Sequence, residues 1–345
     1  MKGRQVALGV YKDRAAAALM VDGKLEDFLI EADDATPAPG AIYRGIVDRQ
    51  MKGQGGVFLR LGNGQRGFLR QAKGLAPGQP LLVQVVSHAE PGKAPPLTTR
   101  ILFKSRYAIV TPDAPGVNIS RQIREEEDRD RIAEIAHGIE LAEGHGAILR
   151  SAARLASDEE IADDLAAMAD LAEAVMSDAQ GSEPELLVDA PDPAHLAWRE
   201  WADPAPDQIL EEDDAFEIAG VLDALEDLYR GEALASGGSM IVEPTRALVA
   251  VDVNTGGDSS PAAGLKANID AARALPRALR LQGLGGQIVV DFAPMPKKDR
   301  KTLEQSLRAA FKADAVETNL VGWTSMGLFE LQRKRERLPL HEARP

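Results

Sequence analysis

Leu248-Val249-Ala250-Val251-Asp252-Val253-Asn254 and Ile288-Val289-Val290-Asp291 are the two stretches that decide the fold of the C-terminal part of the chain. Each is an apolar run of strand length that ends in polar residues. Residues 265–281, which lie between them, have helical periodicity, so the sequence predicts two parallel strands joined by a crossover helix. In that arrangement Asp252 and Asp291 lie at the carboxyl ends of their strands, where open α/β sheets bind ligands.

Two convergent carboxylates without a nearby His or Cys suit a hard cation that prefers oxygen ligands. Mg²⁺ is the expected ion and Mn²⁺ the alternative. Water and a substrate phosphate would complete the coordination shell of the ion. A bound cation of this kind supports in-line attack on a phosphodiester. The competing interpretation is that Asp252 and Asp291 only cap loops or helices, and the pattern alone leaves it open.

The residues upstream of this region are rich in short strands. Alternating runs from residue 6 to 31, broken by the turn pair Asp22-Gly23, predict an N-terminal antiparallel sheet. Residues 100–181 have a mixed α+β pattern with helices near 125–137 and 158–176. Between these regions a module of short strands and glycine-bearing turns predicts a small barrel of the OB type. Its five candidate strands are 42–49, 57–61, 66–70, 81–86 and the run that enters Leu97.

The hairpin of the second and third barrel strands carries an aromatic and basic pattern. Between residues 41 and 74 there are seven Lys or Arg and one acidic residue, and Phe58 and Phe68 are interleaved with the cations. This pattern is typical of surfaces on which unpaired bases stack while cations contact phosphates. The alternative is that one or both Phe belong to the barrel core. The candidate RNA-contacting cations of the hairpin are Arg60, Arg66 and Arg70.

The charge distribution supports a polyanionic partner despite a net charge of −14. Residues 157–232 contain 24 acidic and two basic residues, so the remainder of the chain has 38 basic and 30 acidic residues. A local positive field attracts phosphates whatever the total charge. The composition, 44% hydrophobic and 27% charged with no Cys, is that of a soluble globular protein. Because no signal peptide and no membrane-spanning run of about 20 apolar residues is found, a cytoplasmic location is predicted.

A second, smaller anion site is indicated at the end of a predicted strand over 147–150. A guanidinium fork followed by a hydroxyl, as in Arg150-Ser151, suits a terminal phosphate. The competing interpretation is an ordinary surface arginine.

Together these segments resemble the catalytic region of the ribonuclease E/G family. The resemblance covers most of the chain and is weakest over residues 182–214. The motifs that carry it are Leu248–Gly256, Asn268–Ala272, Gly285–Phe292, Met326–Leu331, Leu97–Arg100, Ile119–Arg121 and Glu143–Ser151.

The resemblance implies a multidomain α+β fold in which an S1-type OB barrel is inserted in an RNase H-like region. A mixed α/β 5′-sensor and a DNase I-like α/β catalytic subdomain follow. The implied domains are 1–36 (first part of the RNase H-like region), 37–99 (S1-type RNA-binding domain), 100–181 (5′-sensor), 182–220 (shortened second part of the RNase H-like region) and 221–345 (catalytic subdomain).

Residue roles also follow from the resemblance. Asp252 and Asp291 correspond to the magnesium ligands, and Asn254 to a residue that orients them or the scissile phosphate. Phe58, Phe68 and Lys93 correspond to RNA contacts on the barrel, and Arg150 and Ser151 to the pair that holds a 5′-monophosphate.

Two departures from the family pattern limit these expectations. The chain ends at Pro345, where a Cys-Pro-x-Cys zinc link would follow, and has no Cys. No zinc and no zinc-linked oligomer are therefore expected, which leaves a monomer or a zinc-independent dimer. Pro294 stands where the family usually has a further Asp, so the carboxylate set around the metal is smaller.

The function expected from the sequence is magnesium-dependent endonucleolytic cleavage of single-stranded RNA, in rRNA or tRNA processing or in mRNA decay, with stimulation by a 5′-monophosphate. A non-catalytic RNA-binding relative of the same family is the alternative. The retained carboxylates favour the enzyme, because they would repel RNA phosphates without a metal. A nucleotide-binding metabolic enzyme is disfavoured by the Arg- and Phe-bearing hairpin.

Overall fold

The computed structural model describes residues 3–33, 36–51, 55–70, 73–90 and 92–342. They form two compact units, one comprising Met1–Glu31 and Asp207–Pro345 and the other Ala32–Pro206. Both units mix helices with strands, in agreement with the mixed helix-and-strand class expected from the sequence. Among the described residues, none of the helices combines the length and the apolar character that crossing a bilayer requires.

The strands and helices are numbered here in chain order. The strands are β1 (Arg4–Tyr11), β2 (Arg14–Val21), β3 (Lys24–Ile30), β4 (Ile42–Met51), β5 (Gly56–Gly62), β6 (Gln65–Leu69), β7 (Pro80–Val85), β8 (Pro96–Thr98), β9 (Phe103–Lys104), β10 (Ala108–Thr111), β11 (Gly116–Ile119), β12 (Gly146–Leu149), β13 (Glu185–Val188), β14 (Gln208–Leu210), β15 (Glu232–Ala233), β16 (Ser239–Pro244), β17 (Val249–Asn254), β18 (Gly286–Asp291), β19 (Thr318–Trp323) and β20 (Phe329–Arg333). The α-helices are α1 (Glu126–His137), α2 (Asp158–Ser177), α3 (Pro193–Glu200), α4 (Ala215–Ile218), α5 (Val221–Asp227), α6 (Ala263–Leu281) and α7 (Arg300–Ala313).

In the first unit, the N-terminal strands form the antiparallel sheet that the sequence predicts. β1 pairs with β2 and β2 pairs with β3. The turn between β2 and β3 has positive φ at both Asp22 (50°) and Gly23 (79°), the geometry that matches the twist of a two-residue hairpin. β14 extends this sheet as a parallel neighbour of β1, with Gln208 opposite Gln5. This long-range pairing is not predicted by the sequence.

The second sheet of the same unit has the strand order β15-β16-β17-β18-β20-β19. β17 and β18 are parallel and are connected through α6, which confirms the predicted crossover. Val251, Ile288 and Val290 are buried with side chains of α6 and α7 in the largest core cluster of the unit. Because side chains alternate along a strand, the intervening residues of β17 and β18 lie on the other, open face of the sheet.

A buried network of charged side chains lies at the end of this sheet where β18 begins. Arg333 is opposite Gly286, the first residue of β18. Its Nη1 is 2.7 Å from Asp314 Oδ2, and both side chains are 1% exposed. Asp314 also binds Arg280, which in turn is 3.5 Å from Asp27 of β3. The network therefore links the N-terminal sheet to the C-terminal one within this unit.

In the second unit, five strands close into the OB-like barrel predicted from the sequence. β4, β5, β6, β8 and β7 follow one another, and a further pairing of β4 with β7 completes the closure. Val57, Leu59 and Leu61 of β5 point into its core. β13 pairs with the first half of β4 on the outside of this arrangement.

The remainder of the second unit is an α+β region in which a sheet of order β11-β12-β10-β9 packs against α1 and α2. The helices predicted near residues 125–137 and 158–176 and the strand predicted over 147–150 are confirmed within one or two residues. α2 begins with a capping box, in which Ser157 and Glu160 satisfy each other's backbone N–H groups. The domain boundaries predicted at residues 36, 99, 181 and 220 stay predictions.

Candidate active site and nucleic-acid interface

Asp252 and Asp291 lie side by side on the open face of the C-terminal sheet. They are register partners on the parallel strands β17 and β18, whose backbones run about 4.8 Å apart. Both residues are exposed, whereas Val251, Val253 and Val290 on the other face are buried. The sequence-based placement of both carboxylates at the carboxyl ends of neighbouring strands is therefore correct.

Asn254 belongs to the same group of side chains. It follows Asp252 by two residues and so lies on the same face of β17, where its Nδ2 donates a hydrogen bond of 2.7 Å to Asp252 Oδ2. In the part of the chain that the structure describes, no Lys or Arg forms an ion pair with Asp252 or Asp291. The two carboxylates thus form an uncompensated acidic pair, one member of which is oriented by an amide.

The donor atoms of this group fit a hard divalent cation. Mg²⁺ is usually bound through one or two carboxylates, and the rest of its shell is water and substrate phosphate. The described residues contain no cluster of three or more His, Cys, Asp or Glu side chains that could enclose a metal ion. The Asp252–Asp291 pair is therefore suited to a partly hydrated, substrate-completed ion and not to a closed structural site.

A buried asparagine holds the segment that follows Asp291. Asn268 of α6 is fully buried. Its Nδ2 donates to the carbonyl oxygen of Ala293 at 2.9 Å, and the Ala293 N–H donates to Asn268 Oδ1 at the same distance. This role of Asn268 was not predicted from the sequence, although a polar residue among the buried positions of a helix could have indicated it. The next residue, Pro294, is exposed and brings no carboxylate to this edge.

Cations follow on the same segment. Lys297 and Lys298 are exposed. The guanidinium of Arg300 lies 4.1 Å from the ring centroid of Trp323, a cation–π distance. The chain that leaves the sheet at Asp291 thus supplies positive charge, which suits a polyanionic substrate.

The barrel hairpin presents its aromatic and basic side chains on one outward face. Phe58 and Phe68 are register partners on β5 and β6, with ring centroids 5.2 Å apart. Both are half-buried and neither belongs to the barrel core cluster. The next pair on this face, Arg60 and Arg66, is exposed. The structure therefore decides against the core interpretation of the two Phe.

Gly56 makes room for one of these rings. A Cβ atom at this position would come within 2.4 Å of the Phe68 ring, so only glycine allows the ring to lie over the β5 backbone. Arg70, at the end of β6, and Lys93, in the loop before β8, are also exposed. Lys93 Nζ lies 2.6 Å from Glu90, its neighbour three residues earlier.

Arg44, one of the basic residues counted from the sequence, is not part of this face. It is 6% exposed. Its guanidinium binds carboxylates and carbonyls of Asp178, Glu183 and Glu185. A Cβ at Gly181 would collide with it. Arg44 therefore fastens residues 178–185 to β4.

Arg150 and Ser151 lie at the end of β12, where the sequence predicts an anion site. The Arg150 guanidinium already has partners there. Nη1 donates to the carbonyl oxygens of Ser105 (2.7 Å) and Arg199 (3.3 Å), and Nη2 lies 2.6 Å from Glu200 Oε2. Among the described residues the Ser151 hydroxyl has no hydrogen-bond partner.

Glu200 was not singled out from the sequence. Its other oxygen accepts a hydrogen bond of 2.7 Å from Arg199 Nε, so one carboxylate joins two guanidinium groups. Burial raises the pKa of this carboxyl, but the charges of Arg150 and Arg199 together with their hydrogen bonds lower it by more, so the pKa of Glu200 lies below its usual value. The carboxylate is therefore charged at neutral pH.

Known proteins resemble this chain over nearly its whole length. A sequence model of the Ribonuclease E/G family matches residues 103–226 and 208–336. The chain is 29% identical to ribonuclease E of Nostoc sp. over 88% of this chain and 52% of that protein. It is 29% identical to ribonuclease G of Salmonella typhimurium over 96% of this chain and 80% of that protein. For ribonuclease E of Synechocystis sp. the identity is 30%, over 88% of this chain and 53% of that protein.

The chain thus spans about half the length of the two ribonuclease E relatives and four fifths of the ribonuclease G relative. The two matched segments together cover well over half of the sequence and include Asp252, Asn254 and Asp291. The chain belongs to the ribonuclease E/G family.

Proposed function

We propose that this protein is an endoribonuclease that cleaves single-stranded RNA with the help of Mg²⁺. The observation that carries the proposal is the pairing of Asp252 with Asp291 on adjacent parallel strands, exposed and without a cationic partner among the described residues. Family membership supplies the chemistry that such a pair supports. The RNA-binding hairpin and the metal requirement are parts of the same proposal.

Asp252 and Asp291 are the proposed metal-holding residues. A bound Mg²⁺ supplies charge neutralisation at the scissile phosphate and activation of water at neutral pH. Asn254 keeps one Asp252 oxygen in a fixed orientation through its amide donor, as outer hydrogen bonds do around metal ligands. Asn268 keeps the backbone after Asp291 in place through the paired bonds to Ala293.

The barrel hairpin is the proposed binding surface for the RNA strand. Phe58 and Phe68 expose ring area on which bases can stack without regard to sequence. Arg60, Arg66 and Arg70 place cations along the same face for the phosphate backbone, and Lys93 belongs to the same proposed surface. A base can stack on an aromatic side chain only when it is unpaired, which is the reason for proposing single-stranded RNA as substrate.

Arg150 and Ser151 remain the proposed residues for a 5′-terminal phosphate. A guanidinium offers two parallel N–H donors that match phosphate oxygens, and the neighbouring hydroxyl can add a third bond. The contact of Arg150 with Glu200 occupies part of this site.

The proposal is tested by incubating 5′-labelled single-stranded RNA with the protein and Mg²⁺, with EDTA as the control. Internal cleavage that depends on the metal and leaves 3′-hydroxyl and 5′-phosphate ends is expected. The variants Asp252→Asn and Asp291→Asn should remove cleavage and leave RNA binding. Binding by the wild type without cleavage under these conditions would instead support the non-catalytic RNA-binding alternative.

A further inference from the structure

We propose that Glu200 determines how this chain responds to the 5′ end of its RNA, by placing a carboxylate on the guanidinium that would otherwise bind a terminal phosphate. The inference rests on the proposed function of Arg150. It predicts that the wild type distinguishes poorly between 5′-monophosphate and 5′-hydroxyl RNA, and that removing the Glu200 charge creates the distinction.

The geometry of the contact is that of anion recognition. Glu200 Oε2 lies 2.6 Å from Arg150 Nη2, and Glu200 Oε1 lies 2.7 Å from Arg199 Nε. A carboxylate and a phosphate present the same kind of acceptor oxygens to guanidinium donors. The Glu200 oxygens therefore occupy donors that a terminal phosphate would need, and the two ligands exclude each other.

The helix that carries Glu200 is packed in place. α3 begins at the N-cap Asp192, which accepts a hydrogen bond from the His195 N–H. Farther along, the Arg106 guanidinium lies 5.0 Å from the centroid of the Trp198 ring. Trp201, which follows the helix, is buried. A tethered group of this kind acts at an effective concentration of the order of millimolar or more, which an RNA end in solution does not reach.

Charge balance acts in the same direction. The two guanidinium groups of Arg150 and Arg199 carry two positive charges, and Glu200 neutralises one of them. A terminal monophosphate carries about −1.5 to −2 charges at neutral pH. Removing Glu200 therefore takes away one negative charge that repels this phosphate from the two guanidinium groups.

The other hydrogen bonds of Arg150 remain when the Glu200 carboxylate is removed. Its Nη1 bonds to the carbonyl oxygens of Ser105 and Arg199 do not involve Glu200. They orient the guanidinium whether or not the carboxylate is present. The Ser151 hydroxyl begins the 3₁₀ turn Ser151–Leu155 beside it. A variant without the carboxylate thus retains an oriented cation and an adjacent hydroxyl.

The test compares the wild type with Glu200→Gln, which keeps the shape, and Glu200→Ala, which vacates the space. Glu159→Gln is the matched control, since it removes one exposed negative charge from the same unit. The probe is a 3′-labelled, 2′-O-methylated oligoribonucleotide that carries either a 5′-monophosphate or a 5′-hydroxyl and cannot be cleaved. The measured quantity is the ratio of the two Kd values.

For the wild type and Glu159→Gln we expect a ratio within about twofold of unity. For Glu200→Ala, and to a smaller extent for Glu200→Gln, we expect 5′-monophosphate RNA to bind about tenfold more tightly, which is the effect of one charge-assisted hydrogen bond. Adding Arg150→Ala to Glu200→Ala should return the ratio to unity. A ratio that is the same in the wild type and in both Glu200 variants, whether small or large, would overturn the proposal.

A cleavage assay with unmodified RNA of the same sequence separates this inference from the proposed function. Absence of cleavage in every variant would contradict the endonuclease assignment, while the binding ratio would still decide the role of Glu200. Cleavage by all variants, with an unchanged preference at the 5′ end, would contradict only the role of Glu200.

Discussion

Strand β18 has charged side chains near both of its ends, and the two ends differ in where the counter-charges are. At its first residue, Gly286, the opposite residue is Arg333, which pairs with the buried Asp314. At its last residue, Asp291, the neighbour is Asp252, and no Lys or Arg of the described chain pairs with either. The first end, where Arg333 and Asp314 pair, is neutralised within the protein and is called the neutralised end. The second, formed by Asp252 and Asp291, is left acidic and is called the open end.

This difference separates acids that stabilise the fold from acids for which we propose a ligand-binding role. A buried carboxylate without a partner costs several kcal/mol, so Asp314 is compatible with folding only because Arg280 and Arg333 reach it. Asp252 and Asp291 are exposed, and their mutual repulsion is tolerable in water. Such a pair contributes nothing to the stability of the fold, which supports the proposal that it binds an external cation.

The largest effect is expected from the neutralised end. Asp314→Asn leaves the buried Arg333 without an ion-pair partner among the described residues, and leaves Arg280 with Glu26 and Asp27 alone. It should lower the free energy of unfolding by about 3 to 5 kcal/mol. Urea denaturation followed by circular dichroism measures it. Glu317→Gln is the control, because its partner Lys334 is exposed and the expected loss is below about 1 kcal/mol. Equal effects of the two variants would remove the distinction between a buried network and a surface pair.

The open end should behave in the opposite way. Asp252→Asn or Asp291→Asn should lower kcat by about two orders of magnitude or more, at least about 2.7 kcal/mol of barrier stabilisation. Without Mg²⁺, the free energy of unfolding should be unchanged or higher, because a repulsion is relieved. Glu243→Gln, on the adjacent strand opposite Ala250, is the matched control on the same face. Near wild-type cleavage by the Asp252/Asp291 double variant would end the metal assignment.

A substitution of Asn254 tests whether the open end needs the hydrogen bond that orients the Asp252 carboxylate. Asn254→Ala removes the donor to Asp252 Oδ2 but no carboxylate. Loss of such an outer contact typically lowers metal affinity or activity 10- to 100-fold. We expect a kcat decrease in that range and a shift of the Mg²⁺ titration to higher concentration. An unchanged titration, together with unchanged kcat, would mean that the Asp252 carboxylate needs no orienting bond.

The sequence predicted the open end well, because its signals are local. Each strand is an apolar run that ends in an aspartate, and one helix joins them, so parallel pairing follows from the pattern itself. The barrel hairpin was also predicted, because a glycine-bearing turn joins two short strands along which side chains alternate between the two faces. The strands β19 and β20 were missed, although the turn residues between them, Thr324-Ser325-Met326-Gly327, separate two short apolar stretches and could have indicated a hairpin.

Contacts between distant residues could not be predicted. Asp314 and Arg280 are 34 residues apart, Arg150 and Glu200 are 50 apart, and Gln5 and Gln208 are 203 apart. Nothing in the local pattern of a surface-like glutamate shows which arginine it will meet. The occupation of the Arg150 guanidinium is therefore a result that only the structure provides, even though the guanidinium itself was identified from the sequence.

Aromatic side chains show the same contrast between residues that pack in the core and residues that are available to a ligand. Phe329, 2% exposed, packs edge-on against Trp323 in the core, whereas Phe58 and Phe68 lie half-buried on the outer face of the barrel. Phe58→Ala and Phe68→Ala should each weaken RNA binding by roughly 1 to 3 kcal/mol and leave the fold intact. Fluorescence anisotropy and thermal melting measure the two properties. Leu186→Ala, which shortens an exposed apolar side chain of the same unit, is the control. Unfolding of either Phe variant would assign that ring to the core after all.

The smallest effect is expected from the cations beside these rings. Arg60 and Arg66 are exposed register partners, so their contribution comes through phosphate contacts and is weakened by salt. Each contact to single-stranded nucleic acid contributes about 0.7 to the slope of log Kd against log salt concentration. Arg60→Ala and Arg66→Ala should each lower that slope by about this amount and leave thermal stability unchanged, whereas Arg230→Ala, which removes an exposed cation outside the barrel, should not change the slope. The contrary outcome is that both arginine variants keep the wild-type slope while the Phe variants lose affinity. In that case the hairpin would bind RNA through base stacking on Phe58 and Phe68, and Arg60 and Arg66 would not contact the phosphate backbone.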